Sequence, residues 1–479
     1  MSTRRALALS FIDRYAGLFI SIGTSMVIAR LLSPSQIGVF SVTMVLVSVI
    51  ATLRDMGAGQ YLVQERELTQ DRIRSTWALQ LGIGLFLALV LALLASPMSR
   101  FYKEPTMEVI LWILAFNFAV NPFGSITVAW WSREMQFQWI ALMRFSGAVA
   151  NASVAILLAW QGYGPVSLAW ASLATTVASI AVAIALRPGN LPWLPGFREI
   201  RHVFSFGSRL TTISIVGTLS NGAPEAFLGR LQDMEQTGLL SRANGLVSMF
   251  DRLVMDAVGP VTLPLFARKA REGEALGELY LRALSLITVL GWSFLACLAI
   301  TAYPVIRILY GGQWDGAVTM TQILCLSTAM ALPMSISENL LIAKGFIKSV
   351  LSIVIVAALV KIIASLIGAN SGLHTLGWML IASAVITSGI WLGKVKQVLD
   401  FKWRDILNVI IPSSLIALAT SSPLLLLVIS VGFRGKISEL PQFIVGGLLA
   451  AIIFALSARI LKHPIYDEVD KIIKRILRR

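Results

Sequence analysis

Charged residues are scarce in this chain. Asp, Glu, Lys and Arg together make up 14% of its 479 residues, whereas hydrophobic residues make up 56% and the mean hydropathy is +0.78. So few polar side chains could not cover the surface of a water-soluble protein of this length. The composition therefore predicts an integral membrane protein and excludes a soluble globular one.

Cysteine and histidine are also rare, and the motifs of common enzymes are missing. Cys297 and Cys325 lie inside apolar runs and His202, His374 and His463 are scattered, so neither a disulfide framework nor a metal site is indicated. The chain has no GxxxxGK[ST], HExxH or GxSxG motif and no DxD pair. These absences argue against ATP-driven transport and against a membrane enzyme, and we expect no cofactor.

Long apolar runs are abundant. A membrane span needs about twenty apolar residues, and fourteen segments meet that length approximately. They lie near residues 10–32, 37–53, 75–96, 108–131, 139–160, 166–186, 207–229, 238–259, 281–302, 317–342, 349–368, 374–393, 408–430 and 442–461. The short turn QGYGP between the fifth and sixth runs allows only an antiparallel helical hairpin. The predicted fold class is an all-α, polytopic membrane bundle.

Basic residues predict the orientation of the spans, because Lys and Arg are retained on the cytoplasmic side. With an uncleaved N-terminus inside, most of the 40 basic residues fall in cytoplasmic loops and both termini are cytoplasmic. The net charge of +15 is explained by this topology, and nucleic acid is not an expected partner. Residues 463–479 have the pattern of an amphipathic helix on anionic membrane lipids.

The chain contains an internal repeat. When it is shifted by 200 residues without a gap, residues 28–59 align with 228–259 and ten positions become identical. They are Arg30/Arg230, Leu31/Leu231, Gln36/Gln236, Gly38/Gly238, Ser41/Ser241, Leu46/Leu246, Val47/Val247, Ser48/Ser248, Leu53/Leu253 and Gly59/Gly259. Six predicted spans separate the two copies, so the repeats are parallel in the membrane. The predicted organisation is a six-helix lobe (1–206), a second six-helix lobe (207–407), two additional spans (408–461) and a basic tail (462–479).

Polar residues form matching stripes on the first and seventh predicted spans, since spacings of three and four residues place them on one helical face. The seventh-span stripe is Thr211, Ser214, Thr218, Asn221 and Glu225, and the first-span stripe is Arg14, Gly17, Ser21, Thr24 and Ser25. The 200-residue shift places Ser21 on Asn221 and Ser25 on Glu225. We expect the two stripes to line one water-accessible cavity; the alternative is that small residues allow close helix packing.

The eighth predicted span also carries charges on one face, at Arg242, Arg252 and Asp256. Arg252 and Asp256 are four residues apart and can form either a structural ion pair or part of the cavity. Arg242 can either reach the outer membrane surface or act as a cavity cation. Weaker candidates for the cavity wall are Glu338, Asn339 and Lys361.

Prolines within these spans predict hinges, because proline removes a backbone donor and permits bending. The sequence predicts that Pro224 interrupts the seventh span and that Pro260 and Pro264 break the eighth at its inner end.

The run VIARLLSPSQIGVFSVTMVLVSVIATLRDMGAGQYLVQE resembles the first-hairpin signature of bacterial polysaccharide flippases. GLLSRANGLVSMF, VGPVTLPLFARKA and LYGGQWDGA support this, the last resembling the family's Phe/Tyr-Gly-x-x-Trp loop. The chain departs from the signature at Ala29, where glycine is common, and at Arg54. The resemblance implies the fold of the multidrug/oligosaccharidyl-lipid/polysaccharide exporter superfamily.

The resemblance also implies an activity: moving polyprenyl-pyrophosphate-linked oligosaccharides across the bacterial inner membrane for exopolysaccharide, capsule or O-antigen, with H⁺ or Na⁺ as coupling ion and a polysaccharide polymerase as partner. We expect Arg14, Arg242 and Arg252 to bind the pyrophosphate, Ser21 and Asn221 to bind sugar, and Glu225 or Asp256 to couple ions. Two other functions fit less well. A cation-coupled multidrug exporter would need fewer arginines, and a noncatalytic scaffold would leave the intramembrane charges without a purpose.

Overall fold

The computed structural model describes residues 3–54, 61–62, 65, 68–189, 191–399, 401–431 and 440–468. Within some of these helices, at residues 3–15, 201–213, 257, 260, 431 and 440, only the backbone is described. All regular elements of the described residues are helical, which confirms the all-α membrane fold. The contacts between residues divide the protein into two compact units, Met1–Gly238 and Leu239–Arg479. The lobe boundary predicted from the repeat, after residue 206, stays a prediction.

The described residues of the first unit form eight helices and the start of a ninth. They are α1 (Thr3–Leu31), α2 (Pro34–Arg54), α3 (Gln70–Tyr102), α4 (Pro105–Val120), α5 (Pro122–Arg133), α6 (Phe137–Trp160), α7 (Val166–Ala185), α8 (Ile200–Leu231) and α9 (Met234–Val247). α2, α3 and α4 pack around an apolar core that includes the fully buried Leu91, Ile110 and Leu111. α6 and α7 form the expected hairpin through a turn in which Gly162 and Gly164 have positive φ angles.

In the second unit, the part of the chain that the structure describes continues from α9 into nine further α-helices. They are α10 (Asp256–Arg271), α11 (Leu276–Ile300), α12 (Ala302–Leu309), α13 (Ala317–Ala331), α14 (Ser337–Ala343), α15 (Ile347–Asn370), α16 (Leu373–Leu399), α17 (Trp403–Val431) and α18 (Leu440–Ile460). α11 packs along α17, where Val289 and Ile416 are fully buried, and α17 packs on α18.

Ten helices of the described chain are long and apolar enough to cross a membrane, or eleven if α4 and α5 count as one bent span. The predicted number of fourteen therefore stays a prediction. The predicted first, seventh and eighth spans correspond to α1, α8 and the α9–α10 segment, and the side chains of residues 3–15 and 201–213 within them are not described. These three segments carry the predicted site charges Arg14, Glu225, Arg242, Arg252 and Asp256.

The internal repeat is visible in the helix ends. α1 ends at Leu31 and α8 at Leu231, and the following helices begin at Pro34 and Met234. Both helix N-termini are capped by side chains at equivalent positions. The Gln36 N–H donates to Ser33 Oγ (3.3 Å), and the Gln236 N–H donates to Asp233 Oδ1 (2.7 Å). A side chain that accepts from the third residue satisfies an otherwise unpaired donor of the first turn. The same local chemistry thus sets both turns.

Two equivalent glycines bring these helix starts into direct contact. A Cβ atom added to Gly38 would lie 1.8 Å from the carbonyl oxygen of Met234, and one added to Gly238 would lie 1.8 Å from the carbonyl oxygen of Pro34. Pro34 and Met234 are themselves equivalent under the 200-residue shift, so the contact is reciprocal. The backbones of α2 and α9 approach each other more closely than any side chain would allow.

Two predicted spans are broken in the structure. The fourth consists of α4 and α5, which meet at a 50° bend at Asn121 because Pro122 begins the second helix. The tenth consists of α13 and α14, with a short 3₁₀ turn at Leu332–Met334 that contains Pro333. Both breaks follow from proline, which cannot donate the helical hydrogen bond.

The prediction that prolines interrupt the helices of the seventh and eighth spans is wrong, whereas the hinge role of Pro224 and Pro260 stays a prediction. α8 runs without a break through Pro224, and α10 runs through Pro260 and Pro264. The irregularity lies earlier, in a π-helical turn at Asp251–Met255.

Candidate functional site

The first candidate site lies between α2 and α8, at Glu225. The Ser41 hydroxyl donates a hydrogen bond to Glu225 Oε2 at 2.7 Å, and Ser41 is buried. A carboxylate at membrane depth is costly unless hydrogen-bond donors or a cavity support it, and such residues commonly mark transport pathways. The Ser41–Glu225 pair is therefore a polar site within an otherwise apolar helix interface.

The same interface continues along both helices. Gly222 faces the side chain of Val45, and a Cβ at that glycine would lie 2.3 Å from Val45 Cγ1. Farther along, the hydroxyl oxygens of Thr52 and Thr218 lie 3.0 Å apart. The polar stripe predicted on the seventh span thus has two of its members, Thr218 and Glu225, paired with hydroxyls of α2. Small residues and hydroxyls alternate, which permits the close packing that the sequence offered as an alternative.

Four further predicted site residues lie on α1 and α8. Ser21 on α1 and Asn221 on α8 are exposed, and Pro224 is buried within α8. Arg14 belongs to α1, but its side chain lies outside the described part of the chain. Ser21 and Asn221 thus lie on exposed faces of their helices, whereas Glu225 contacts Ser41 of α2.

Arg242, on α9, stacks against an aromatic loop of the second unit. Its guanidinium carbon lies 5.3 Å from the ring centre of Tyr310 and 5.4 Å from that of Trp314, which is fully buried. The loop is closed by the Arg307 guanidinium, which donates to both carboxylate oxygens of Asp315 (2.6–3.1 Å). Tyr310 to Trp314 is the Tyr-Gly-x-x-Trp motif of the sequence. Cation–π contacts of this kind hold the guanidinium in a fixed position.

Arg252 and Asp256 flank the π-helical turn. Arg252 lies within the turn and Asp256 is the first residue of α10, and both side chains are exposed. The backbone N–H of Asp256 donates to the carbonyl of Asp251, five residues earlier, instead of to a residue four earlier. Single π turns within α-helices occur frequently at functional sites. Two charges therefore lie at the irregular point of the predicted eighth span.

The weaker candidates are in the second unit. Glu338 and Asn339 lie in the first turn of α14, just after the 3₁₀ turn with Pro333, and Lys361 lies in the middle of α15; all three are half-buried.

Sequence reasoning missed the partners of these residues. Ser41 and the aromatic loop were not among the predicted site residues, although Ser41 is one of the ten positions shared by the repeats and the loop is a recognisable motif. The available signal was the repeat itself, since residues conserved between its two copies include a direct partner of Glu225.

The helical architecture defines a multi-pass membrane protein with the fold of a lipid flippase. The structure matches the inward closed conformation of the lipid II flippase MurJ with a TM-score of 0.74 at 14% sequence identity, over 96% of this chain and 100% of that chain. The chain itself belongs to the family described as polysaccharide biosynthesis protein, which matches residues 27–319. The family assignment confirms the resemblance found in the sequence.

Two relatives agree with this assignment. The chain is 25% identical over 315 residues to the succinoglycan biosynthesis transport protein ExoT of Rhizobium meliloti (strain 1021). The aligned region covers 64% of this chain and 63% of the relative. It is 22% identical over 461 residues to the lipopolysaccharide biosynthesis protein WzxC of Escherichia coli (strain K12), which covers 93% of this chain and 91% of the relative.

Proposed function

We propose that this protein is a transporter that moves polyprenyl-pyrophosphate-linked oligosaccharides across the bacterial cytoplasmic membrane by alternating access. The family, the names of the relatives and the flippase fold support this. In this proposal the protein lies in the inner membrane with both termini in the cytoplasm, and a polysaccharide polymerase is its expected partner. It performs transport and no covalent chemistry.

The observation that carries the proposal is the Ser41–Glu225 pair between two membrane helices. A carboxyl group in this position favours binding a cation, either H⁺ or Na⁺, because an uncompensated negative charge is costly in the membrane. Loss of that cation would leave the Glu225 carboxylate charged. The charge would strengthen the hydrogen bond that Glu225 accepts from the Ser41 hydroxyl and would alter the packing of α2 on α8. Glu225 therefore couples ion movement to helix packing, and Asp256, beside the π turn, is the second candidate.

The substrate's two polar parts have separate candidate sites. Arg14, Arg242 and Arg252 are the proposed ligands of the pyrophosphate, since guanidinium groups bind phosphate oxygens in a bidentate manner. Ser21 and Asn221, both exposed, are the proposed contacts to sugar hydroxyls. The prenyl chain stays in the lipid bilayer.

The test is transport in proteoliposomes. A polyprenyl-pyrophosphate oligosaccharide is incorporated, a proton or sodium gradient is imposed, and the glycan accessible to an external glycosidase is measured over time. We expect transport above that of empty liposomes. No transport with several glycans and either gradient, by protein that remains folded, would contradict the proposal.

Glu225→Gln provides the sharper variant, because it keeps the shape and the hydrogen-bond acceptor but removes the titratable group. We expect gradient-driven transport to fall at least tenfold, about 1.4 kcal/mol. Glu235→Gln, at an exposed position of α9, is the matched control and should transport normally. Equal gradient dependence in wild type and Glu225→Gln would exclude Glu225 as the coupling residue.

A further inference from the structure

A pocket lies at one end of the second unit, and none of its lining residues is among the predicted transport residues. It is formed by the first turns of α11, the first turns of α17 and the turn that follows α18, and it has a volume of about 590 Å³. Small-molecule sites occupy roughly 300 to 1,000 Å³. Since two membrane helices begin here and a third ends here, the pocket lies at one boundary of the membrane, the level of lipid headgroups.

Buried hydrogen bonds fix the chain that forms the pocket floor. His463 is 3% exposed; its Nδ1 accepts the N–H of Ile465 at 3.2 Å, so the neutral ring carries its proton on Nε2. Nε2 lies 2.7 Å from Ser285 Oγ on α11 and 3.3 Å from Ser413 Oγ on α17. One imidazole thus ties together all three elements that form the pocket, which is therefore preformed.

The walls of the pocket carry both signs of charge. Arg282 and Lys462 are its cations, and Glu278 and Asp467 are its anions. Arg282 also forms an ion pair with Glu468, which holds its guanidinium at the rim. Clusters of basic residues at membrane boundaries select anionic lipids. Here the acidic residues oppose a purely anionic ligand and favour one that carries a cation and an anion close together.

The backbone adds an acceptor for that cation. Pro412 on α17 has no N–H, so the carbonyl of Asn408 receives no helical hydrogen bond from it, and both residues line the pocket. A primary ammonium group can donate to this carbonyl and to the carboxylates. A quaternary ammonium would instead require an aromatic cage, and no Phe, Tyr or Trp is found among the described residues that line the pocket.

Apolar side chains beside the pocket extend along the same helices. Leu407 and Ile411 on α17 and Ile460 at the end of α18 are exposed, Ile460 by 77%. Exposed aliphatic side chains on membrane helices contact acyl chains. A headgroup in the pocket would therefore continue directly into lipid tails along α17 and α18.

We propose that this pocket binds the headgroup of a phosphatidylethanolamine molecule, with the phosphate at Arg282 and Lys462 and the ammonium at Glu278, Asp467 and the Asn408 carbonyl. The site is separate from the proposed transport residues and does not depend on the transported substrate. Its function is to hold the membrane boundary of α11, α17 and α18 together.

The test uses the full-length protein purified in detergent, whose unfolding midpoint is measured with added lipid. A ligand that binds the folded state stabilises it by RT ln(1 + [L]/Kd), so the midpoint rises with the logarithm of the lipid concentration over its dissociation constant. We expect phosphatidylethanolamine to raise the midpoint more than phosphatidylcholine or phosphatidylglycerol. Inorganic phosphate and phosphoethanolamine should have little effect; stabilisation by either as large as that by the lipid would show a soluble ligand and overturn the lipid assignment.

Two variants test the two charges separately. Lys462→Asn removes the cation and suits the positive φ of 48° at this position, since asparagine tolerates the left-handed region. Glu278→Gln removes an anion without changing shape. Each should weaken phosphatidylethanolamine binding about tenfold, whereas the matched changes at exposed positions, Lys348→Asn and Glu134→Gln, should not. Equal stabilisation of wild type and both pocket variants, or equal stabilisation by all three lipids, would overturn the proposal.

Discussion

At the residue scale, Gly38 and Gly238 are the most constrained positions of the repeat. Each occupies space in which a Cβ would lie 1.8 Å from a carbonyl oxygen. Gly38→Ala and Gly238→Ala should therefore each force α2 and α9 apart and destabilise the protein by about 1–3 kcal/mol. The unfolding midpoint in detergent measures this.

Gly82 on α3 is the matched control, because a Cβ there meets no atom within 4 Å. Gly82→Ala should be neutral or slightly stabilising, since alanine favours a helix interior over glycine. If the three alanine variants unfold at the same temperature, the close contact of the two helix starts does not contribute to stability.

Substitutions of Arg242 distinguish a structural role of this side chain from a role in binding the pyrophosphate. Its cation–π contacts with Tyr310 and Trp314 are worth about 0.5–2 kcal/mol. Arg242→Ala should lower both stability and transport, whereas Arg242→Lys keeps a cation over the rings and should retain part of the transport. The measurements are the unfolding midpoint and the initial rate of glycan translocation.

The informative outcome for Arg242 is that its substitution affects stability and transport differently. If Arg242→Ala is less stable but transports at the wild-type rate, and if Arg14→Ala also transports normally, neither arginine binds the pyrophosphate. Loss of transport in Arg242→Ala at a temperature where the variant remains folded supports the binding role.

At the element scale, local chemistry was predictable and helix continuity was not. The turn between α1 and α2 and the turn between α8 and α9 follow from capping residues that the sequence shows at Ser33 and Asp233. The π turn before Pro260 does not follow from spacing, because proline can break, bend or simply interrupt the bonding of a helix. Packing decides among these outcomes. The repeat marks Ser41 as a shared position, but its pairing with Glu225 could not be predicted, because the pairing depends on which helix α8 packs against.

The contacts of the segment after α18 with α11 and α17 depend on pH. Burial lowers the pKa of His463 from its ordinary value of 6.5. The unfolded state therefore takes up a proton near this pH while the folded state stays neutral, so the stability that the His463 contacts contribute is present above pH 6.5 and falls as the pH drops below it. Glu278, Arg282, Lys462 and Asp467 are the charged groups around this site.

The measurement is the difference in unfolding midpoint between wild type and His463→Gln, from about pH 8 to about pH 5. We expect wild type to be more stable at the higher pH and the difference to shrink below pH 6.5. His374→Gln, at an exposed position, is the matched control. A difference that stays constant over the range would mean that protonation of His463 does not loosen this segment.

At the scale of the whole molecule, composition and repeat together predicted the class correctly. The scarcity of charge predicted a membrane protein, and the signature at residues 27–65 predicted the family. The predicted amphipathic tail remains untested, because residues 469–479 lie outside the described structure. Site residues were harder to predict than class, since the sequence shows which helices carry charge but not which side chains meet across them.

The topology is the prediction that concerns the entire chain. If the N-terminus is cytoplasmic and every predicted span crosses, the turn after α6 faces outward and the turn before α15 faces the cytoplasm. Gln161 lies in the first of these turns, Lys348 is the second residue of α15 directly after the other turn, and both are exposed. A Gln161→Cys variant should react with a membrane-impermeant maleimide in intact cells, and Lys348→Cys should react only after permeabilisation. Wild type is the control, because Cys297 and Cys325 lie within membrane helices and should not react. Labelling of both new cysteines from outside would mean that the number of spans between them is even instead of odd, and the predicted count would have to change; the reverse pattern would invert the orientation of the transporter and the direction in which the proposed gradient acts.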